Sequence, residues 1–193
     1  VGTQLTDLTL VVVGADWPSL WGFSLEHINP LDLVMVANGR RNSMASIGNH
    51  YLDHARTPVV GLVHADCVFG AGALASLTDT AMGGAVCGIV GVNEGHEYRW
   101  AGINPGEVVT MDSSSVFLRA DAGLRFDEKV FDGLHCHVED ICMQAHAAGR
   151  KVIVPAADCT HIGVSNNAPA WRAEYDPYQA KLFKKWGGPV IMT

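Results

Sequence analysis

No apolar run in this chain approaches the ~20 residues that a membrane-spanning helix requires, which excludes such a segment. Basic runs are missing as well. Thirteen Lys and Arg stand against twenty Asp and Glu, a formal charge of -7, and nothing clusters the basic residues, so a nucleic-acid partner is not expected. The five cysteines, Cys67, Cys87, Cys136, Cys142 and Cys159, are odd in number and share no CxxC spacing. That argues against a disulfide framework and a cysteine zinc site, and fits free buried thiols in a reducing cytosol. No HExxH occurs, and the only HxH spacing is His135-Cys136-His137, so a zinc hydrolase built on the nine histidines is a weak candidate. Internal repeats and low-complexity linkers are lacking, and Val1 to Leu10 does not resemble a signal peptide. A cytoplasmic location is expected.

What is present is a globular composition, 48% hydrophobic and 17% charged over 193 residues, enough for one compact domain spanning 1–193. Leu8 to Gly14, Leu31 to Ala37 and Val59 to His64 are short Val- and Leu-rich runs bounded by turn residues, and read as buried parallel strands. Between the last two, Asn42 to Ala55 sets Met44, Ile47, Tyr51 and Leu52 at helical spacing, with Asn42 or Ser43 as the N-cap. A helix from about Ala71 to Met82 and an extended run Ala85 to Val92 continue the alternation. The expectation is an α/β fold with a mostly parallel twisted sheet flanked by helices, which binds ligands outside the carboxyl ends of its strands. In the second half, Ser115 to Arg119 reads as a strand, Val138 to Gly149 as a helix with Gly149 as its C-cap, Lys151 to Pro155 as a short strand, and Ala170 to Trp186 as a closing amphipathic helix.

Three constellations can carry chemistry. His64-Ala65-Asp66 follows the apolar strand directly, where a carboxylate at the ligand edge suits Mg or Mn; an Asp there also serves as an ordinary turn residue. Glu139-Asp140 opens the helix of the second half. Adjacent helical residues point about 100° apart, so only one can face a site squarely, and both also serve as partners of the helix dipole. His161 follows the short strand; its imidazole suits Mn, although a single histidine is commonly a satisfied structural residue.

The order of strand, His-x-Asp, Phe126-Asp127-Glu128, Gly133-Leu134-His135, Glu139-Asp140-Ile141-Cys142, Gly149 with Lys151-Val152, His161 and the closing Phe183-Lys184-Lys185-Trp186 resembles the family 2 glycosyltransferases. Within them it is similar to a branch whose metal motif reads His-x-Asp rather than Asp-x-Asp. Ala37-Asn38 with Asn42-Ser43 belongs to the same resemblance, which spans nearly the whole chain.

The resemblance implies a single GT-A domain, residues 1–92 binding a nucleotide-diphosphate sugar, UDP-sugar above all, and residues 93–193 carrying the acceptor and catalytic side. It implies that Asp66 coordinates Mn2+ or Mg2+ on the diphosphate with His64 beside it, that His161 completes the coordination, and that Asp140 is the base of an inverting transfer to a glycan or protein hydroxyl. His in place of the first Asp removes one negative charge near the diphosphate, which weakens metal binding or narrows the choice towards Mn. Asp16, Asn38 and Arg41 are the candidates against the nucleotide base. Trp100, Asp112, Glu139 and the pair His135 and His137 fall on the acceptor side; Trp100 serves either packing or sugar stacking. The rivals are a catalytically silent nucleotide-sugar binding domain and a sugar nucleotidyltransferase. The latter usually opens with a Gly-rich loop and basic residues, where this chain has Gly14-Ala15-Asp16-Trp17-Pro18.

Overall fold

The computed structural model describes residues 3–14, 28–38, 42–94, 97–101, 105–161 and 169–190. Strands β1 (Thr3–Gly14), β2 (Ile28–Ala37) and β3 (Val59–His64), with helix α1 (Met44–His54) between the last two, form the first part. There follow β4 (Cys67–Phe69), α2 (Ala73–Met82), β5 (Val86–Gly88), the ribbon β6 (Val90–Glu94) and β7 (Glu97–Ala101), β8 (Gly106–Glu107) and β9 (Ser115–Arg119). The chain then runs through α3 (His137–Ala147), β10 (Val152–Val154), β11 (Cys159–His161) and α4 (Pro169–Trp186).

A seven-stranded sheet in the order β2-β1-β3-β9-β5-β10-β8 organises the molecule. β2, β1, β3, β5 and β10 all run one way, while β9 lies antiparallel between β3 and β5, and β8 antiparallel on β10. The fold is therefore α/β with a mixed sheet whose strands mostly share one direction. Both faces are covered, which is why β1 is apolar without alternation from Leu10 to Val13. Val11 and Val13 face one side with Val60, Leu62, Val116 and Leu118, beneath α1 and α3; Leu8, Leu10 and Val12 face the other with Val59, Val63 and Phe117, beneath α2. Burying each Leu, Val or Phe of these layers contributes about 1.5–3 kcal/mol. Gly61 in β3 is required by this packing, since a Cβ there would lie 2.5 Å from Cε1 of Phe117.

Local chemistry sets the helix ends. Ser43 caps α1, its Oγ accepting from the Ser46 amide at 3.0 Å. Gly149 follows α3 with φ +68°, a left-handed turn that returns the chain to β10. α1 follows β2 and leads back to β3, and α3 leads into β10, so both helices start at the rim formed by the carboxyl ends of the parallel strands. β9 begins at that rim too. α4 packs over α3 through Tyr175, Tyr178, Leu182, Phe183 and Trp186 around Phe131 and Cys136, although it carries Pro177 in its interior. Among the described residues no helix is long and apolar enough to cross a membrane.

Candidate active site

The His64 turn is pinned from both sides. The His64 amide donates to the Ser114 carbonyl and the Ala65 amide to the Val13 carbonyl, each at 2.9 Å, so β3 leaves the sheet at the rim and turns straight into β4. Asp66 lies exposed on that turn. β4 pairs antiparallel with β11, and the register sets His161 opposite Cys67, one residue from Asp66. Opposed Cα atoms in such a pair lie about 4.5–5.5 Å apart, so two residues almost a hundred positions apart in sequence have neighbouring backbones. The ring of His161 lies outside the described side chains. One carboxylate and one imidazole are a donor set that suits Mn and tolerates Mg. Among the described residues no three His, Cys, Asp or Glu side chains form a ready metal cage. Two protein ligands would leave most positions of such a cation to water or to the oxygens of a bound molecule.

The second group opens α3. Cys136, just ahead of the helix, is buried with φ 62° and ψ 7°, the one non-glycine residue with positive φ among those described. Strained backbone of this kind, worth roughly 1–3 kcal/mol, concentrates at functional sites. Glu139 is buried and accepts a 2.7 Å hydrogen bond from Ser113 Oγ at its Oε2. Burial pushes its pKa up to about 8, with the charges of Asp112 and Asp140 adding to the rise and the Ser113 bond opposing it. Tyr175 of α4 is likewise raised, first by burial and then by the charges of Glu139 and Cys136. Asp112 anchors the segment, its Oδ2 accepting from the Ser114 amide at 2.9 Å.

Asp140 has a different environment from the one expected of a base. It is fully buried, Trp186 Nε1 donates to its Oδ1 at 2.9 Å, and Gln144 Nε2 donates to its Oδ2 at 2.8 Å. Lys185 Nζ lies 2.9 Å from the same carboxylate. Both oxygens are engaged, by Gln144 of α3 and by Lys185 and Trp186 of α4. Asp140 thus anchors α4 on α3, while its neighbour faces Ser113 and Asp112.

His137 completes the helix start. It is buried beside the Phe126 ring, and neither ring nitrogen has a hydrogen-bond partner. Burial lowers its pKa to about 3, with His64 and His135 adding to the fall and the nearby Leu134 backbone opposing it, so the imidazole is neutral. On the β4 side, the Cys67 thiol is held well above its ordinary range, first by its hydrogen bond with Cys159 and by burial, then by the charges of Cys159, Asp66 and Asp112. Asp66 and Asp112 therefore bear on one thiol from two different connecting segments.

The other expected residues divide. Asn38 is buried and its amide is used within the chain, Nδ2 donating to the Asn42 carbonyl at 2.7 Å and Oδ1 accepting from the Asn42 amide at 3.0 Å. It shapes the loop ahead of α1 rather than presenting a free amide to a base. Asp16 and Arg41 lie outside the described residues. Trp100 is on β7, opposite Gly91 of β6, and β7 runs beside β11; its side chain is outside the description. Ser113 and Tyr175 were not picked from sequence as site residues: Ser113 sits in a run of three serines with no motif, and Tyr175 reads as one apolar position of an amphipathic helix.

Compared with models of known protein families and with curated proteins, the chain matches none.

Proposed function

We propose that the chain is a metal-dependent inverting glycosyltransferase of the GT-A type, similar to the family 2 enzymes with a His-x-Asp metal motif. Its donor is a nucleotide-diphosphate sugar, UDP-sugar above all, its acceptor a hydroxyl, and its setting the cytoplasm. What supports this is the meeting at one sheet rim of the Asp66 turn, the strand that carries His161, and the first turn of α3 with its two carboxylates.

Glu139 takes the role of base. Ser113 orients its carboxylate, and a pKa near 8 lies close to the working pH, where proton transfer is most effective. The proton of the acceptor hydroxyl passes to Glu139, the acceptor oxygen bonds to the anomeric carbon from the face opposite the diphosphate, and the bond from that carbon to the diphosphate oxygen breaks, inverting configuration. Asp66 and His161 are the residues that would hold Mn2+ or Mg2+, and such an ion would supply positive charge for a leaving diphosphate. Asp140 positions α3 and α4 through Lys185 and Trp186. Asp112 and Trp100 belong to the acceptor side.

One observation favours the rival reading of a catalytically silent nucleotide-sugar binding domain: both oxygens of Asp140, the carboxylate that the family resemblance makes the base, are engaged within the fold. A panel of nucleotide sugars incubated with Mn2+ separates the two. Slow release of nucleotide diphosphate from one donor is the expected result, and it needs no acceptor. A donor that binds and is never broken down, with Mn2+ or Mg2+ at saturation, leaves only the binding domain.

A further inference from the structure

A pocket of about 430 Å³ lies between the amino-terminal half of α4, the 132–135 loop and the start of α1. This volume is within the ~300–1,000 Å³ of small-molecule sites. Asn42 brings it to the rim that carries the candidate active site, and the Gly133 carbonyl, which accepts from the Met44 amide at 3.1 Å, fastens the loop to the start of α1. On the other side His135 stacks edge-on against Tyr175, with ring centroids 5.5 Å apart, and Tyr175 senses the charge of Glu139.

The lining has a definite chemistry. Asp132 and Glu174 are two carboxylates against the one ammonium of Lys181; Lys181 is 2.8 Å from Asp132, and His135 Nε2 lies 3.9 Å from Glu174. A surplus of negative charge disfavours a phosphate-bearing donor and leaves a neutral ligand as the occupant. The carboxylate oxygens and the Asn42 amide together offer acceptors and donors for several hydroxyl groups at once. Tyr178 supplies an aromatic wall, and Gly133 keeps it in place, because a Cβ there would collide with the Tyr178 hydroxyl. Pro177 has no N–H to give to the carbonyl of Ala173, and both residues line the pocket, so one backbone acceptor lacks its helical donor at this wall.

We infer that this pocket takes a neutral sugar ring of the acceptor, which makes the acceptor a glycan rather than a polypeptide side chain. This rests on the glycosyltransferase reading above.

The test begins with binding, without donor or metal. Saturation-transfer NMR is run with methyl glucosides, galactosides and mannosides, and with a Ser/Thr-containing peptide, on the wild-type chain, on Glu174→Gln and on Ala173→Trp. Ala173 and Glu174 are exposed on a helix, and the helical circular dichroism of each variant checks its fold. At least one glycoside should bind, with affinity falling about tenfold in Glu174→Gln, the loss of one charge-assisted hydrogen bond, and further in Ala173→Trp, which fills the cavity. The transfer reaction should show the same rise in acceptor KM, with donor KM moving less than twofold. Binding of the peptide alone, or of a glycoside equally well by wild type and Ala173→Trp, overturns the proposal. Donor breakdown without any glycoside binding overturns the pocket assignment alone. Glycoside binding without donor breakdown overturns the transferase reading, and the acceptor role falls with it.

Discussion

Lys185 Nζ lies 2.9 Å from the Asp140 carboxylate and 2.8 Å from Asp127 Oδ2, so one ammonium near the end of α4 ties the first turn of α3 to the Phe126-Asp127-Glu128 loop. Asp127 is held below the usual carboxylate range, chiefly by this hydrogen bond, and the same bonds raise Lys185 against the opposing effect of burial. Replacing Lys185 with Met keeps the stem and removes the charge, leaving Asp140 buried. A fully buried pair broken in this way loses about 3–5 kcal/mol. Here Trp186 and Gln144 still donate and Lys185 is partly exposed, so Lys185→Met should lose about 2–3 kcal/mol, read as a lower urea midpoint. An unchanged midpoint would remove the bridge from the account of how α4 is held.

Glu139 makes stability depend on pH. Its folded pKa, about 8, is above the unfolded value of 4.5, so between these the folded state holds a proton that the unfolded state has released. The stabilisation is complete below pH 4.5 and is lost as pH rises through 8. Denaturation midpoints taken from pH 4.5 to 8.5 should therefore fall on the alkaline side, and Glu139→Gln, which keeps the shape and cannot ionise, should flatten that fall. The same slope in wild type and variant would mean that another group titrates there.

His137 acts in the opposite sense. A folded pKa of about 3 against 6.5 unfolded means that the unfolded state takes up the proton first, so stability present above pH 6.5 is lost as pH falls towards 3. Neither ring nitrogen is satisfied, and leaving buried polar groups unpaired costs about 1–3 kcal/mol. His137→Leu, close in volume, should raise the thermal midpoint at pH 5 and shrink the acid limb. A drop in midpoint at that pH would show that the imidazole is bonded after all.

Much of this arrangement was legible in the residues. Val59 to His64 and Ser115 to Arg119 have the bounds the sequence suggested, because each is an apolar run closed by turn residues, and Ser43 caps its helix as its side chain allows. The direction and place of β9 were not legible. Periodicity says that Ser115 to Arg119 is a strand, and nothing in it says that the strand enters antiparallel between β3 and β5. The same limit applies to Glu139 and Asp140: two carboxylates about 100° apart are distinguished only by the rotation of α3, which its packing on the sheet and α4 decides. Asp140 was favoured from sequence, and Lys185 and Trp186, 45 residues or more away, are what occupy it. The closing Lys-Lys-Trp was visible as a motif, but its reach was not. Asp66 and His161 are the reverse case, since the resemblance put them together and the β4–β11 register makes their backbones neighbours.

The two carboxylates of α3 can be separated by kinetics. Glu139→Gln should retain donor and Mn2+ affinity and lower kcat by about 10²–10⁴-fold, the usual worth of a general base. Asp140→Asn keeps the shape but trades a charged acceptor for a neutral amide beside Lys185 and Trp186, so its main effect should be a lower denaturation midpoint, with kcat reduced less. If Asp140→Asn loses transfer by orders of magnitude at full stability while Glu139→Gln stays active, the roles assigned to the two residues are reversed.

Donor binding tests the other half of the rim. Asp66 is exposed on the turn between β3 and β4 and makes no part of the core, so the fold of Asp66→Ala can be checked by circular dichroism beside its binding. If Asp66 and His161 share a cation that bridges the diphosphate, wild type should show a heat of UDP binding that grows with added Mn2+, and Asp66→Ala should show none. His161→Ala should weaken the same heat, because β11 brings its backbone to the residue after Asp66. Cys67 supplies an internal control: the Asp66 charge is one of the causes that raise its thiol, so Asp66→Ala should ease that rise whether or not any metal binds. An Asp66→Ala chain that still binds UDP in proportion to Mn2+ would put the cation elsewhere, and the pairing of β4 with β11 would then be a matter of folding alone.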